Sequence, residues 1–203
     1  MADLTPKQQE LKDQFIKHRG YWGGFWEDVL QLDADFFSAY TKFSSVPSKT
    51  GALDPKVREF IYIAIDASTT HLYMRGLRLH MQNAFSLGAT RDEIMEVLEL
   101  TSVLGIHTCT LGVPILMEEL RAMGRGDEVD EIEYTAEQEK MKEQFIENRG
   151  YWSPFWDDLL KLSPDFFEAY LEFSSVPWKT GTLEPKVKEF IYIAIDTATT
   201  NLH

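Results

Sequence analysis

Five histidines, a single cysteine and a few arginines carry most of the chemical potential of this 203-residue sequence. His80 is the foremost candidate. An imidazole titrates near neutrality, so it can act as a general acid or hold developing charge as imidazolium. The plain alternative is a histidine merely hydrogen-bonded inside a helical pair. Arg75 and Arg78 lie three apart and close to His80, a spacing that places them on one helical face. Such a pair could clamp a carboxylate with parallel hydrogen bonds, or simply form a solvated face. Arg58 is a similar candidate. Glu59 falls in the first turn of an expected helix, where the helix dipole alone favours a carboxylate. His107 sits in GIHTCT and could line a pocket or begin a helix. Cys109, among apolar and hydroxyl neighbours, reads as a buried, inert thiol. His71, His80, His107 and Cys109 have no zinc spacing. There is no Gly-rich phosphate loop, Gly-x-Ser-x-Gly elbow or His-Glu-x-x-His. No metal and no cofactor are expected.

The elements that must position these groups are helices. Gln8 to His18 reads as a helix stopped by Gly20. Phe25 to Leu32 and Asp35 to Phe43 are shorter helices rich in aromatics. Ser44 to Leu53 contains Pro47 and Gly51 and is expected to be a loop. Asp54-Pro55 opens a helix to about Ser68, with proline at its first position. Tyr73 to Leu87 forms another, closed by Gly88 in the left-handed conformation. Thr90-x-x-Glu93 is a capping box opening a helix to Leu104. Gly105 to Met123 is helical, with Pro114 as a kink or a new start. No strand-like alternation competes, so the fold class is all-α.

The sequence also repeats itself. Residues 11–73 and 141–203 align without a gap at an offset of 130, and 41 of those 63 positions are identical by direct count. QFIKHRGYWGGFWEDVL returns as QFIENRGYWSPFWDDLL, and EFIYIAIDASTT as EFIYIAIDTATT. Residues 1–128 therefore read as one complete helical domain, and 129–203 as a linker plus a partial second copy. The acidic stretch Gly124 to Thr135 is the expected linker. The aromatic set Tyr21, Trp22, Phe25, Trp26, Phe36, Phe37, Tyr40 and Phe43 recurs at the same offset. It suits packing and assembly, or a hydrophobic wall over a site, with Trp26 touching substrate. Glu59 recurs as Glu189, whereas His71 becomes Asn201 and His80, Arg75 and Arg78 have no counterpart. Residues 185–200 are expected to bury their apolar side against another helix, in this chain or by exchange with an identical one.

Composition bounds the partners. The chain is 44% apolar and 26% charged, with a net charge of −13, so it has material for a sizeable core and no basic stripe for nucleic acid. Its unbroken apolar runs are short, so no membrane span is expected. The polar N-terminus and the lone cysteine fit a reducing, cytoplasmic setting.

The stretch from Arg58 to Pro114 resembles the carboxymuconolactone decarboxylase family, which also includes alkyl hydroperoxidase D. The carrying residues are Arg58-Glu59 before FIYIAI, the His80-x3-Ala84-x3-Gly88 spacing, the GATRDEIMEVL turn and helix, and the small-residue segment that follows. Hydroperoxidase members carry Cys-x-x-Cys just before the family histidine. Here Tyr73 to Gly76, or His71 and Met74 in the other register, supply no thiol, so the decarboxylase-like branch is implied. One departure is a slightly longer interval between Glu59 and His80. The resemblance implies a compact helical bundle that assembles as trimers or hexamers, with sites at subunit contacts. It further implies a cofactor-free enzyme acting on a small carboxylated lactone. His80 would be the general acid, Glu59 would support it, and Arg75, Arg78 or Arg58 would hold the carboxylate. The alternatives are another reaction on the same fold, such as hydrolysis or isomerisation, or a catalytically silent assembly or ligand-binding protein.

Overall fold

The computed structural model describes residues 4–199, and every regular element among them is helical. The chain divides after Pro55 into two compact units. The first contains α1 (Pro6–Arg19), α2 (Gly24–Leu32), α3 (Ala34–Ser44) and α4 (Val46–Thr50). Thr5 and Gln8 form a reciprocal capping box at the start of α1, and Gly20 ends it at φ 79°. The Asp33 carboxylate caps α3 through the Phe36 N–H. Phe15, Leu30 and Phe37 are fully buried and ringed by Trp22, Trp26 and Tyr40. The expected loop at 44–53 is corrected in part. Val46–Thr50 is helical because Pro47 occupies the first turn, where a missing N–H costs nothing.

The second unit holds α5 (Pro55–Ala67), α6 (Met74–Ser86), α7 (Arg91–Val103), a 3-10 turn (Leu104–Ile106) and α8 (His107–Ala122). After the short α9 (Asp127–Asp130) come α10 (Ala136–Arg149), α11 (Phe155–Leu162), α12 (Pro164–Thr180) and α13 (Pro185–Ala198). The Thr90–Glu93 capping box forms as read, and Pro114 lies inside a continuous α8. The expected linker is not wholly irregular: it carries α9, whose Val129 is buried. The compact units cut across the sequence repeat. The repeat boundary lies at 128/129, but the last helices of the first copy and the first helices of the second share one unit, and the division falls after Pro55.

That composite unit has two cores. In one, Ile94, Val97 and Leu100 of α7 meet Phe60, Ile63 and Ala64 of α5 and Ile191 and Ile195 of α13. In the other, Ile106 at the foot of α8 meets Phe145, Trp156, Leu160 and Phe167 of the second copy. The expectation that residues 185–200 pack against another helix holds over the described residues, and the partner is α7. Residues Arg91–Ala122 form a helical stretch apolar and long enough to cross a membrane by length and composition alone, which the short unbroken runs did not suggest. Here α7 packs on α12 and α13, and α8 packs on α11.

One polar contact fastens the copies together. Glu96 on α7 is buried and lies 2.8 Å from Lys188 Nζ on α13, also buried. The other Glu96 oxygen accepts the backbone N–H groups of Thr182 and Leu183, the latter at 2.8 Å. Lys188 also donates to the Pro177 carbonyl. Gly181 permits the approach: a Cβ there would stand 2.0 Å from Glu96 Oε1. Removing one member of a buried ion pair strands the other charge, so Glu96→Ala or Lys188→Met should each cost about 3–5 kcal/mol in urea unfolding. The double variant Glu96→Leu/Lys188→Met should lose clearly less than the sum of the two.

Candidate functional site

Glu59 lies one turn into α5 and His80 in the middle of α6, on the buried strip formed by Gly76, His80 and Ala84. The two side chains meet: His80 Nδ1 is 2.7 Å from Glu59 Oε2, and both are largely shielded from solvent. Asn83, one turn beyond His80, donates to the same Glu59 oxygen at 3.3 Å. The Tyr62 ring stacks on the imidazole with centroids 4.6 Å apart and planes 28° apart. In the α5–α6 turn Leu72 adopts φ 43°, a left-handed conformation that is costly for a leucine.

A second carboxylate stands nearby. Burial pushes the Asp66 carboxyl above its ordinary range, against the opposing pull of His80 and His71. Asp66 Oδ2 is buried with no hydrogen-bond partner among the described residues. It lies close to α6 at Gly76, where a Cβ would come within 2.1 Å of it. Tyr62, Asp66 and Asn83 were not singled out from sequence. Tyr62 and Asn83 each follow a candidate by three residues, and that helical spacing was the available signal.

The remaining candidates are placed differently. Arg75 and Arg78 are exposed, whereas Gly76 and His80 are buried. Offsets of five and two residues from His80 turn the two arginines well away from its buried face on a 3.6-residue helix. Arg58 is half-buried at the start of α5. Trp26 belongs to the aromatic core of the first unit, stacked on Tyr40 at 4.6 Å. His107 begins α8 and faces α13, with its Nδ1 3.5 Å from Asp196 Oδ1. It lines a cavity of about 460 Å³ together with Arg149, Trp156, Tyr170 and Glu189. Cys109 is half-buried beside the second core. No cluster of three or more potential metal ligands occurs among the described residues.

A helical bundle with a buried Glu–His pair linking two successive helices can move one proton at a shielded position. The comparisons agree with this architecture. The carboxymuconolactone decarboxylase family pattern matches residues 34–106. A 1.70 Å crystal structure from Burkholderia xenovorans LB400 superposes with a TM-score of 0.88 and 46% identity, over 95% of this chain and 77% of the other. That protein is provisionally described as a gamma-carboxymuconolactone decarboxylase subunit. No curated protein matches. The chain belongs to the carboxymuconolactone decarboxylase family, and its fold is that family's all-α bundle.

Asp66 yields a pH prediction. Its folded carboxyl titrates above the unfolded value, so folding favours the protonated form. The stability it contributes is complete below the unfolded value of 3.8 and is lost as pH rises through the raised folded value. Asp66→Asn should therefore raise the melting temperature at pH 7 and leave it little changed near pH 3.

Proposed function

We propose that this protein is a decarboxylase-like enzyme acting on a small carboxylated lactone, with His80 as the general acid. The 2.7 Å contact between His80 and Glu59 carries this reading. Loss of CO₂ breaks the carbon–carboxylate bond and leaves its electron pair spread over a dienolate. That pair must be stabilised and then protonated at carbon. The Glu59 carboxylate accepts from Nδ1–H and fixes the ring orientation, so His80 enters the step as imidazolium, gives its Nε2 proton to the substrate carbon and is left as neutral imidazole with Nδ1–H still on Glu59. The second Glu59 contact, from Asn83, and the Tyr62 stack restrain both groups. Of the three arginines considered, the half-buried Arg58 beside Glu59 best suits the substrate carboxylate.

Ultraviolet-monitored turnover of 4-carboxymuconolactone tests the proposal. A positioned general acid contributes about 10²–10⁴-fold, so His80→Ala should lower kcat by that order while the protein stays folded. Glu59→Gln should lower kcat less and shift the pH profile. Full turnover by His80→Ala would remove this mechanism.

The same reading includes self-association. Leu111, Ile115 and Leu116 of α8 are each about half exposed, an apolar strip suited to a second copy of the chain. Light scattering should give a mass of three or six chains, and Leu111→Lys/Ile115→Lys should lower it.

A further inference from the structure

The repeat carries one apolar stripe that is exposed in both copies. On α3 and α4 it consists of Phe36, Ala39, Phe43 and Val46, at intervals of three, four and three residues. On α12 it returns as Phe166, Ala169, Phe173 and Val176. The spacing is that of a helix–helix seam. Ser45 keeps helical angles, φ −84° and ψ −11°, so the stripe crosses from α3 into α4 without a break. Phe36, Phe43, Phe166 and Phe173 are 60, 78, 49 and 51% exposed, and the alanines and valines are exposed too. Each stripe lies opposite a buried face, Phe37 and Thr41 in one copy and Phe167 and Leu171 in the other.

This exposure does not depend on what adjoins either copy. The second copy is docked, with α12 on α7 and α11 on α8. Trp156, Leu159, Ser174 and Pro177 are buried there, whereas Trp26, Val29, Ser44 and Pro47 of the first copy are not. The first copy in turn is followed by α5 to α8. The stripe stays open in both settings, so it is a different surface from the one that docks the copies.

The charges beside the stripe identify its partner. Asp35, Lys42 and Lys49 follow one edge in the first copy, seven residues apart, and Asp165, Glu172 and Lys179 follow it in the second. All six are exposed, and the middle charge is reversed between the copies. Laid antiparallel, the two stripes set large against small: Phe36 meets Val176 and Phe43 meets Ala169, and the other two layers match likewise. The same register brings Asp35 to Lys179, Lys42 to Glu172 and Lys49 to Asp165, three opposite pairs. Asp35 is already bridged to Lys7 at 3.0 Å, an exposed contact, so the central pair carries most of the choice. Pairing either stripe with itself would set Lys42 against Lys42 or Glu172 against Glu172. A parallel pairing would set phenylalanine on phenylalanine and alanine on alanine.

We propose that the α3–α4 stripe of one chain packs antiparallel against the α12 stripe of a second copy of this chain. Both stripes stand exposed, so the partner of each lies in another chain. The contact joins two different surfaces, and repeating it around a closed ring leaves neither uncovered. It is independent of the chemistry at His80 and of the α8 strip.

Analytical ultracentrifugation of the full chain tests this. Wild type should self-associate below about 100 μM. Lys42→Glu sets a second carboxylate against Glu172 and should weaken association at least about fivefold, as should Glu172→Lys. The combined Lys42→Glu/Glu172→Lys chain carries the same pair in reverse and should associate as wild type does. Phe43→Ser removes a ring from the seam and should weaken association at least about tenfold. These side chains are exposed, so helical circular dichroism should stay at the wild-type level and separate a lost contact from a lost fold. Three results would overturn the proposal. One is a wild-type chain that is monomeric at about 100 μM. Another is association unchanged by either single charge reversal, as it would be if the chains met only through α8. The third is a combined variant that remains as weak as the single ones.

Discussion

The buried contact between Glu96 and Lys188 is the constraint on which the larger unit depends. A lone buried carboxylate or ammonium is prohibitively costly, so each side chain is tolerable only where the other stands. Glu96 comes from the last half of the first copy and Lys188 from the first half of the second. Their meeting, together with the Thr182 and Leu183 amides on the same carboxylate, fixes how α13 sits on α7. Ile191 and Ile195 bury their side chains in the same core, but apolar contact is non-directional. The ion pair supplies the register.

The same junction explains why one sequence behaves in two ways. α5 and α13 share EFIYIAID, which is apolar nearly all round. In α5 the face of Phe60, Ile63 and Ala64 is buried, whereas in α13 the face of Lys188, Ile191 and Ile195 is buried and Ile193 is 60% exposed. The position of Lys188 is held by Arg58 in the first copy, beside the catalytic candidate Glu59. The repeat therefore carries the same helix into two settings, one that holds a Glu–His pair and one that clasps a neighbouring copy.

Much of the fold was legible in the residues. The capping box at Thr90, Pro55 at a helix start and Gly20 and Gly88 at helix ends act through neighbours only a few residues away, whereas the box at Thr5 that starts α1 at Pro6 was not read. The Glu59–His80 pair was legible through the family resemblance, not through spacing, because the α5–α6 turn that joins them includes a left-handed leucine that no local signal marks. Arg75 and Arg78 were legible as a pair three residues apart, but nearness to His80 in sequence does not bring them to its face, because the 3.6-residue period turns them toward solvent. The Glu96–Lys188 clasp was invisible, since its residues lie about half the chain apart and belong to different copies. The packing division after Pro55 was hidden for the same reason: a sequence repeat marks what was duplicated, and burial decides what folds together.

The central claim is that residues from both copies form one cooperative unit from Lys56 onward. The most direct measurement compares thermal unfolding, by circular dichroism, of residues 56–203 and residues 1–128 produced separately. The account predicts a helical 56–203 fragment with a single sharp transition, and a 1–128 fragment that melts broadly because its α7 and α8 lack their partners. A sharp transition in 1–128 alone, with 56–203 unfolded, would contradict it.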